Sequence, residues 1–208
     1  MKLRLLLLTL GLLWQSLACA AQPVIYLQPL QPAPGPKVIA AIVAALQAFY
    51  PVTVHVLPPA PLPRSAFYPP RHRWRAEKLL DWLQKRLPPD GKKIVGLTSA
   101  DISTSKGANE DWGVLGLGSL DGGACVLSSY RARRGVPVRV ELARMAKVAT
   151  HEVGHTFGLE HCPTQGCLME DARGKVATVD GEDDLCPACR RQLQQRSVSV
   201  PVAVKKPW

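Results

Sequence analysis

Acidic residues are scarce in this chain: 16 Asp and Glu stand against 26 Lys and Arg in 208 residues, a formal charge of +10. Aromatic residues make up only 6%, and they are not interleaved with the basic ones as in a groove that stacks bases. With no nucleic-acid-binding motif either, the charge reads as a solvated basic face, and no specific nucleic-acid partner is expected. Long internal repeats and low-complexity segments are absent, which excludes solenoids and disordered arrays. The apolar run Leu5 to Trp14 falls short of the roughly 20 residues a membrane span needs, so no transmembrane anchor is expected.

That run has a different meaning. Lys2 and Arg4 precede it, and Ala18-Cys19-Ala20 comes after it with small residues, the pattern of an export signal cleaved after Ala20. The bland alternative is a buried first helix. Lipid attachment through Cys19 is a further one, disfavoured by Ser16-Leu17 as a lead-in. The protein is therefore expected to be exported, periplasmic or secreted. Loss of residues 1–20 removes Lys2 and Arg4 and lowers the charge from +10 to +8. What remains suffices for one hydrophobic core but not two, expected as a monomer: a domain over 21–196 and a tail over 197–208.

Histidine is rare too. There are five, and three fall within His151-Glu152-Val153-Gly154-His155-Thr156-Phe157-Gly158-Leu159-Glu160-His161. Residues four apart share a helix face, so His151 and His155 can hold one metal ion. Gly158 can take the left-handed conformation that ends a helix, and the turned chain then brings in His161. Three imidazoles with one open position is a catalytic zinc arrangement. Glu152 sits beside the first ligand, where it can take a proton from the attacking water and pass it to the leaving amine, as base and then acid. Glu160 serves only in a different helix register and reads as a surface residue. His55 reads as a packed strand residue rather than a ligand. Tyr130 is the one candidate for stabilising an oxyanion, with a plain sheet tyrosine as the alternative.

The stretch is the extended metzincin signature, and the residues after it narrow the match: Cys162 directly after the third histidine, Cys167, Met169, then Cys186-Pro187-Ala188-Cys189. This pattern closely resembles the archaemetzincins (archaelysins), a family of zinc metallopeptidases. The resemblance is specific from His151 to Cys189 and weaker upstream. It implies peptide-bond hydrolysis, Met169 as the Met-turn residue beneath the metal, and a second, structural zinc on Cys162, Cys167, Cys186 and Cys189. Two zinc ions per chain are thus expected. In an oxidising compartment the same four thiols can instead form two disulfides in any of three pairings. Cys125 is left over in either case, as a buried sheet residue. A different zinc amidase, or a zinc-stabilised binding protein without turnover, are the alternative functions; retention of Glu152 counts against the second.

Along the chain, strands are expected within Pro23–Leu30 and over 52–56, 93–97, 112–117 and 124–130 by β-branched and apolar content. Helices are expected over 37–49, 74–87 and 140–157, the last with Leu142, Met145, Ala146, Ala149 and Val153 on its core face. Pro58 to Pro70 and Ser99 to Asp111 read as loops, with Asp101 as an anchor. The densest basic patch is Arg71, Arg73, Arg75, Lys78, Lys85 and Arg86. The fold expected is α/β: a compact metzincin-like domain with a mixed five-stranded twisted sheet, three main helices and a C-terminal cysteine-zinc subregion. By the resemblance, 114–117 is the sheet edge over the active-site cleft, where a substrate peptide adds as a strand and glycines at 113, 116 and 118 admit its backbone.

Overall fold

Strand β1 (Val24–Gln31), helix α1 (Pro36–Phe49) and strand β2 (Thr53–Val56) make the first layer contact of the chain. Pro36 sits at the first helical position, where its missing N–H leaves no bond unmade. β1 and β2 run parallel, so α1 is the crossover of a βαβ unit. The computed structural model describes residues 22–201, 204 and 206–208, and the expected export signal at 1–20 lies outside them.

The next segment departs from expectation. Three short strands, β3 (Ala60–Pro61), β4 (Phe67–Tyr68) and β5 (Arg73–Arg75), lie where a proline-rich loop and the start of a helix were expected. Helix α2 is accordingly shorter, Ala76–Gln84. After β6 (Gly91–Thr98), the expected loop at 99–111 is the hairpin of β7 (Ile102–Lys106) and β8 (Asn109–Val114). The strand expected over 112–117 breaks at Leu115: β8 belongs to one sheet and β9 (Gly116–Gly118) to another. β10 (Ala124–Ser128) ends where Ser128 Oγ accepts the Tyr130 N–H and caps the short helix α3 (Ser129–Ala132). Helix α4 (Val138–Thr156), α5 (Val176–Gly181) and α6 (Pro187–Gln195) complete the chain.

The architecture is α/β with mixed sheets, as expected, but the counts differ. The main sheet has six strands in the order β2-β1-β6-β10-β9, with β3 beside β1; a second sheet runs β4-β5-β7-β8. The described residues form six α-helices rather than three. The second sheet escaped the sequence pattern because its strands are short and carry arginine and serine rather than alternating apolar residues.

Alternation along the central strands sorts two cores. Ile25, Leu27, Val95, Leu97, Cys125 and Leu127 face α1 and α4, while Ile94, Ala124 and Val126 face α2 and the second sheet. Two polar contacts then fix α4 against the sheet. The buried Tyr50 hydroxyl donates to Thr150 O at 2.8 Å. Lys93, 7% exposed, donates its ammonium to Thr156 O at 2.5 Å, placing a cation at the negative end of the helix. The tail also folds back: Val198, Val200, Val204 and Trp208 pack on the first core, with Trp208 stacked 5.3 Å from Phe49.

Asp101 links the two sheets. It accepts from Arg73 Nε of β5 at 2.9 Å and from Arg131 of α3 at 3.0 Å, with only 11% of its side chain exposed. Replacing it by Ala leaves the Arg131 guanidinium without its carboxylate, while Arg73 keeps Asp111 at 2.7 Å, so Asp101→Ala is expected to cost roughly 2 kcal/mol. Arg196→Ala, at an exposed pair with Asp121, is expected to cost under about 1 kcal/mol. Urea unfolding of both variants checks the contrast; equal losses would contradict it.

Candidate active site

The expected faces of α4 are present. Met145, Ala149 and Val153 are buried in the first core, Leu142 packs against it partly buried, and Ala146 is buried as well. On the opposite side Arg144, Val148, His151 and His155 follow one helical stripe and line a cleft of about 900 Å³. The helix stops at Thr156, and Gly158 takes φ +84°, with its N–H on His155 O and the Leu159 N–H on Gly154 O. A Cβ at Gly158 is therefore disfavoured by backbone conformation. The turn returns the chain, and His161 meets the other two histidines.

The ligand atoms of His151, His155 and His161 all lie within 4.8 Å of one another, and His151 Nε2 and His155 Nε2 are 3.0 Å apart. Three nitrogens around a tetrahedral zinc stand about 3.3 Å apart, so the cluster fits that ion. The rings are also oriented for it. His151 Nδ1 meets Leu168 O and His155 Nδ1 meets Leu159 O, each at 2.6 Å, which holds the proton on Nδ1 and leaves Nε2 to ligate. Burial pushes His151 down to about 3, with His155 adding to the effect, and burial likewise lowers His155. Both are neutral imidazoles, the form a metal needs.

Glu152 points toward the sheet edge. It is 7% exposed, and burial raises its carboxyl to about 8 against the opposing pull of a hydrogen bond from Gly118. β9 lies at the sheet's edge, antiparallel to β10. The edge is thus Gly116–Gly118 rather than 114–117, and its glycines also meet α4. A Cβ at Gly116 would lie 2.6 Å from Glu152 Cγ, and one at Gly118 would lie 2.6 Å from Glu152 O. Gly116 admits the Glu152 side chain, and Gly118 admits the backbone of α4. Gly113 lies under the Arg131 guanidinium in the same way.

Below the histidines, Met169 is fully buried, and a Cβ at Gly154 would stand 2.7 Å from its sulfur. The loop carrying it holds the second cluster. Cys162, Cys167, Cys186 and Cys189 place their sulfurs within 4.8 Å, with Cys162–Cys186 at 3.7 Å and Cys167–Cys189 at 3.8 Å. Sulfurs on a tetrahedral zinc stand about 3.8 Å apart, whereas a disulfide needs about 2 Å. All four are free thiols here, as is the buried Cys125. The hydrogen bond shared with Cys189 lowers Cys167 to about 5, helped by backbone N–H groups, while Cys189 is raised by the same pair. Two crowded sulfurs share a proton that a cation would displace.

Of the remaining expectations, Asp101 is a structural anchor, and His55 packs 5.7 Å from Tyr26 in the sheet. Glu160 lines the cleft but is exposed. Tyr130 is the second residue of α3, beneath the Arg134 guanidinium, and does not line the cleft. The sequence reading missed Glu182, a buried carboxylate in the cleft wall that burial raises to about 8. In the run Asp180-Gly181-Glu182-Asp183-Asp184 it looks like any solvated acid.

Comparison with known proteins bears on this arrangement. The model of "Peptidase family M54" matches residues 56–195. The archaemetzincin of Haloquadratum walsbyi is 35% identical over 159 residues, 72% of this chain and 88% of that protein. Crystal structures of archaemetzincins from Methanopyrus kandleri and Archaeoglobus fulgidus superpose with TM-scores of 0.75 and 0.69 at 27% and 28% identity, covering 87% and 81% of this chain and 98% and 99% of theirs. The fold and site define a zinc-dependent metallopeptidase of the metzincin class. Within that class, the chain belongs to peptidase family M54, the archaemetzincins.

The glycine contacts are testable. Gly118→Ala meets backbone and is expected to lose about 1–3 kcal/mol of stability, as overpacking does, whereas Gly116→Ala meets a movable side chain and should lose less. Thermal unfolding of the two variants compares them, and the reverse order would refute the packing described.

Proposed function

We propose that His151, His155 and His161 hold a catalytic zinc ion, that Glu152 is the general base and acid of peptide hydrolysis, and that Cys162, Cys167, Cys186 and Cys189 hold a structural zinc. The chain then carries two zinc ions. The observation that supports this most is Glu152 itself: a buried carboxylate, engaged by one backbone N–H, next to three imidazoles that open onto a cleft. When bound, zinc polarises the attacking water and the scissile carbonyl.

Glu152 takes the water proton and returns it to the leaving nitrogen. The Gly118 N–H steadies the carboxylate in the orientation that reaches the cleft. A substrate peptide lies along the free edge of β9 as an added strand, using its unpaired backbone groups. Met169 supports His151 and His155 from below through Gly154. The four thiolates tie Cys162, next to His161, to α6, and so keep the third imidazole in place. Gly158 sets the turn between them.

We further assign residues 1–20 to an export signal, 21–196 to the peptidase domain and 197–208 to a tail, with the mature protein periplasmic or secreted and monomeric. No helix of the described residues is long and apolar enough to cross a membrane. The alternative occupancy of the thiols, two disulfides, is opposed by sulfur spacings near those of a tetrahedral site.

Glu152→Gln keeps the side-chain shape but removes the proton acceptor, so kcat is expected to fall at least about 100-fold with zinc content unchanged. Steady-state kinetics with metal analysis on one sample measures both; wild-type rates would overturn the role of Glu152. His151→Ala should lose the catalytic zinc and keep the structural one, and Cys189→Ser should lose the structural one and melt at lower temperature. Native mass spectrometry of protein from its own compartment reads the metal count directly. A mass lower by four hydrogens with a single zinc would defeat the structural site and spare the catalytic one.

A further inference from the structure

The α4 stripe continues away from the metal site to a wall that the hydrolytic chemistry does not use. Val148 lies one turn before His151, and Arg144 one turn before that; both line the cleft, as do Val176 at the start of α5 and Glu182 just after it. Glu182 is 3% exposed, and its Oε1 is buried with no hydrogen-bond partner. Leaving a carboxylate oxygen dry and unpaired is unfavourable, and a partner that enters the cleft removes the penalty.

The nearby cations are already engaged. Arg144 grips Asp180 with two hydrogen bonds of 2.7 Å. Lys147 gives its ammonium to the Val179 and Asp180 carbonyls, each at 3.2 Å. Among the described residues no ion pair reaches Glu182, in contrast to Asp180 and Asp184 beside it. The unpaired arginines of the cleft, Arg134 and Arg173, are exposed, where solvent and salt screen them. Glu182 Oε1 is therefore a buried acceptor without a hydrogen-bond partner at this inner wall, and the apolar side chains of Val148 and Val176, which line the same cleft, suit the methylene stem of a long cationic residue.

We propose that Glu182 is a specificity-determining residue: it receives the cationic side chain, Lys or Arg, of a substrate residue flanking the scissile bond. This rests on the peptidase reading of the same cleft. A structural partnership with Lys147 alone is the competing account, and the two differ in what a substitution does to different substrates.

The test uses the zinc-loaded protein and peptides of one sequence that carry Lys, norleucine or Glu at each position flanking the cleaved bond. At one position the wild type is expected to favour Lys over norleucine in kcat/KM by roughly tenfold or more, the scale of a charge-assisted hydrogen bond, and to reject Glu. Glu182→Gln, which keeps the shape of the wall, should bring the Lys-to-norleucine ratio close to one. A wild-type ratio near one at every position overturns the proposal, as does a ratio that survives in Glu182→Gln. A loss shared equally by both peptides, with lower melting temperature, identifies the structural role and also overturns it. If no peptide is cleaved, the peptidase assignment of the residues fails separately. Calorimetric binding of the Lys and norleucine peptides to the same protein then decides the role of Glu182 by the same ratio.

Discussion

Helix α4 is held between two surfaces that approach too closely for any side chain but glycine's. Above it, Gly116 and Gly118 of the sheet edge press on the Glu152 side chain and backbone; below it, Gly154 rests on the Met169 sulfur. These contacts fix the helix's height, and the Tyr50 and Lys93 hydrogen bonds fix it lengthwise. The site depends on that placement. His151 and His155 cannot shift toward the cleft without losing the carbonyls of Leu168 and Leu159, and Glu152 cannot turn away from it without striking β9. A close-packed seat on both sides is why three separate segments present their functional atoms with little freedom.

Both ligand clusters carry an unmet electrostatic need. His151 and His155 are neutral because burial and neighbouring imidazoles oppose their charging, so they offer lone pairs to one another at 3.0 Å. The cysteines are drawn together in pairs that cannot all ionise without a cation. Each cluster makes sense as a ligand set and poorly as packing. They are also mechanically joined: Cys162 follows His161 directly, and its N–H bonds to Met169 O at 2.7 Å. The residue after the third imidazole is thus tied to the loop beneath the other two.

The site was more legible in the sequence than the fold around it. Histidines at 151, 155 and 161 with a glycine at 158 leave few geometries, because helix periodicity and the left-handed turn are local rules. Strands β1, β2, β6 and β10 were readable for the same reason, being β-branched and apolar. The second sheet was not. Its residues, such as Arg73-Trp74-Arg75 and Ile102-Ser103-Thr104, form strands because partners far along the chain complete the ladder, with Arg73 paired to Asp101 and Arg75 to Glu77. Glu182 was invisible for a related reason: its burial depends on α5 meeting α4, and no neighbour in sequence signals that. The glycines of β9 were noticed, yet their partner, Glu152, could be found only in three dimensions.

The second sheet also shapes the cleft. Its hairpin β7–β8 reaches over to the loop after Met169: Lys106 pairs with Asp171 at 3.6 Å, and a Cβ at Gly174 would stand 2.9 Å from the Trp112 ring. The two rims therefore touch beyond the metal site. Because Asp101 fastens that hairpin's base to α3 and β5, the position of the roof is set by the same ion cluster that joins the sheets. The break at Leu115 lets one continuous segment serve both parts, with β8 in the roof and β9 at the edge over Glu152. A single unbroken strand over 112–117 would have kept all six residues in one sheet and left one side of the cleft open. Splitting the strand is thus what lets one segment both roof the cleft and edge it over Glu152.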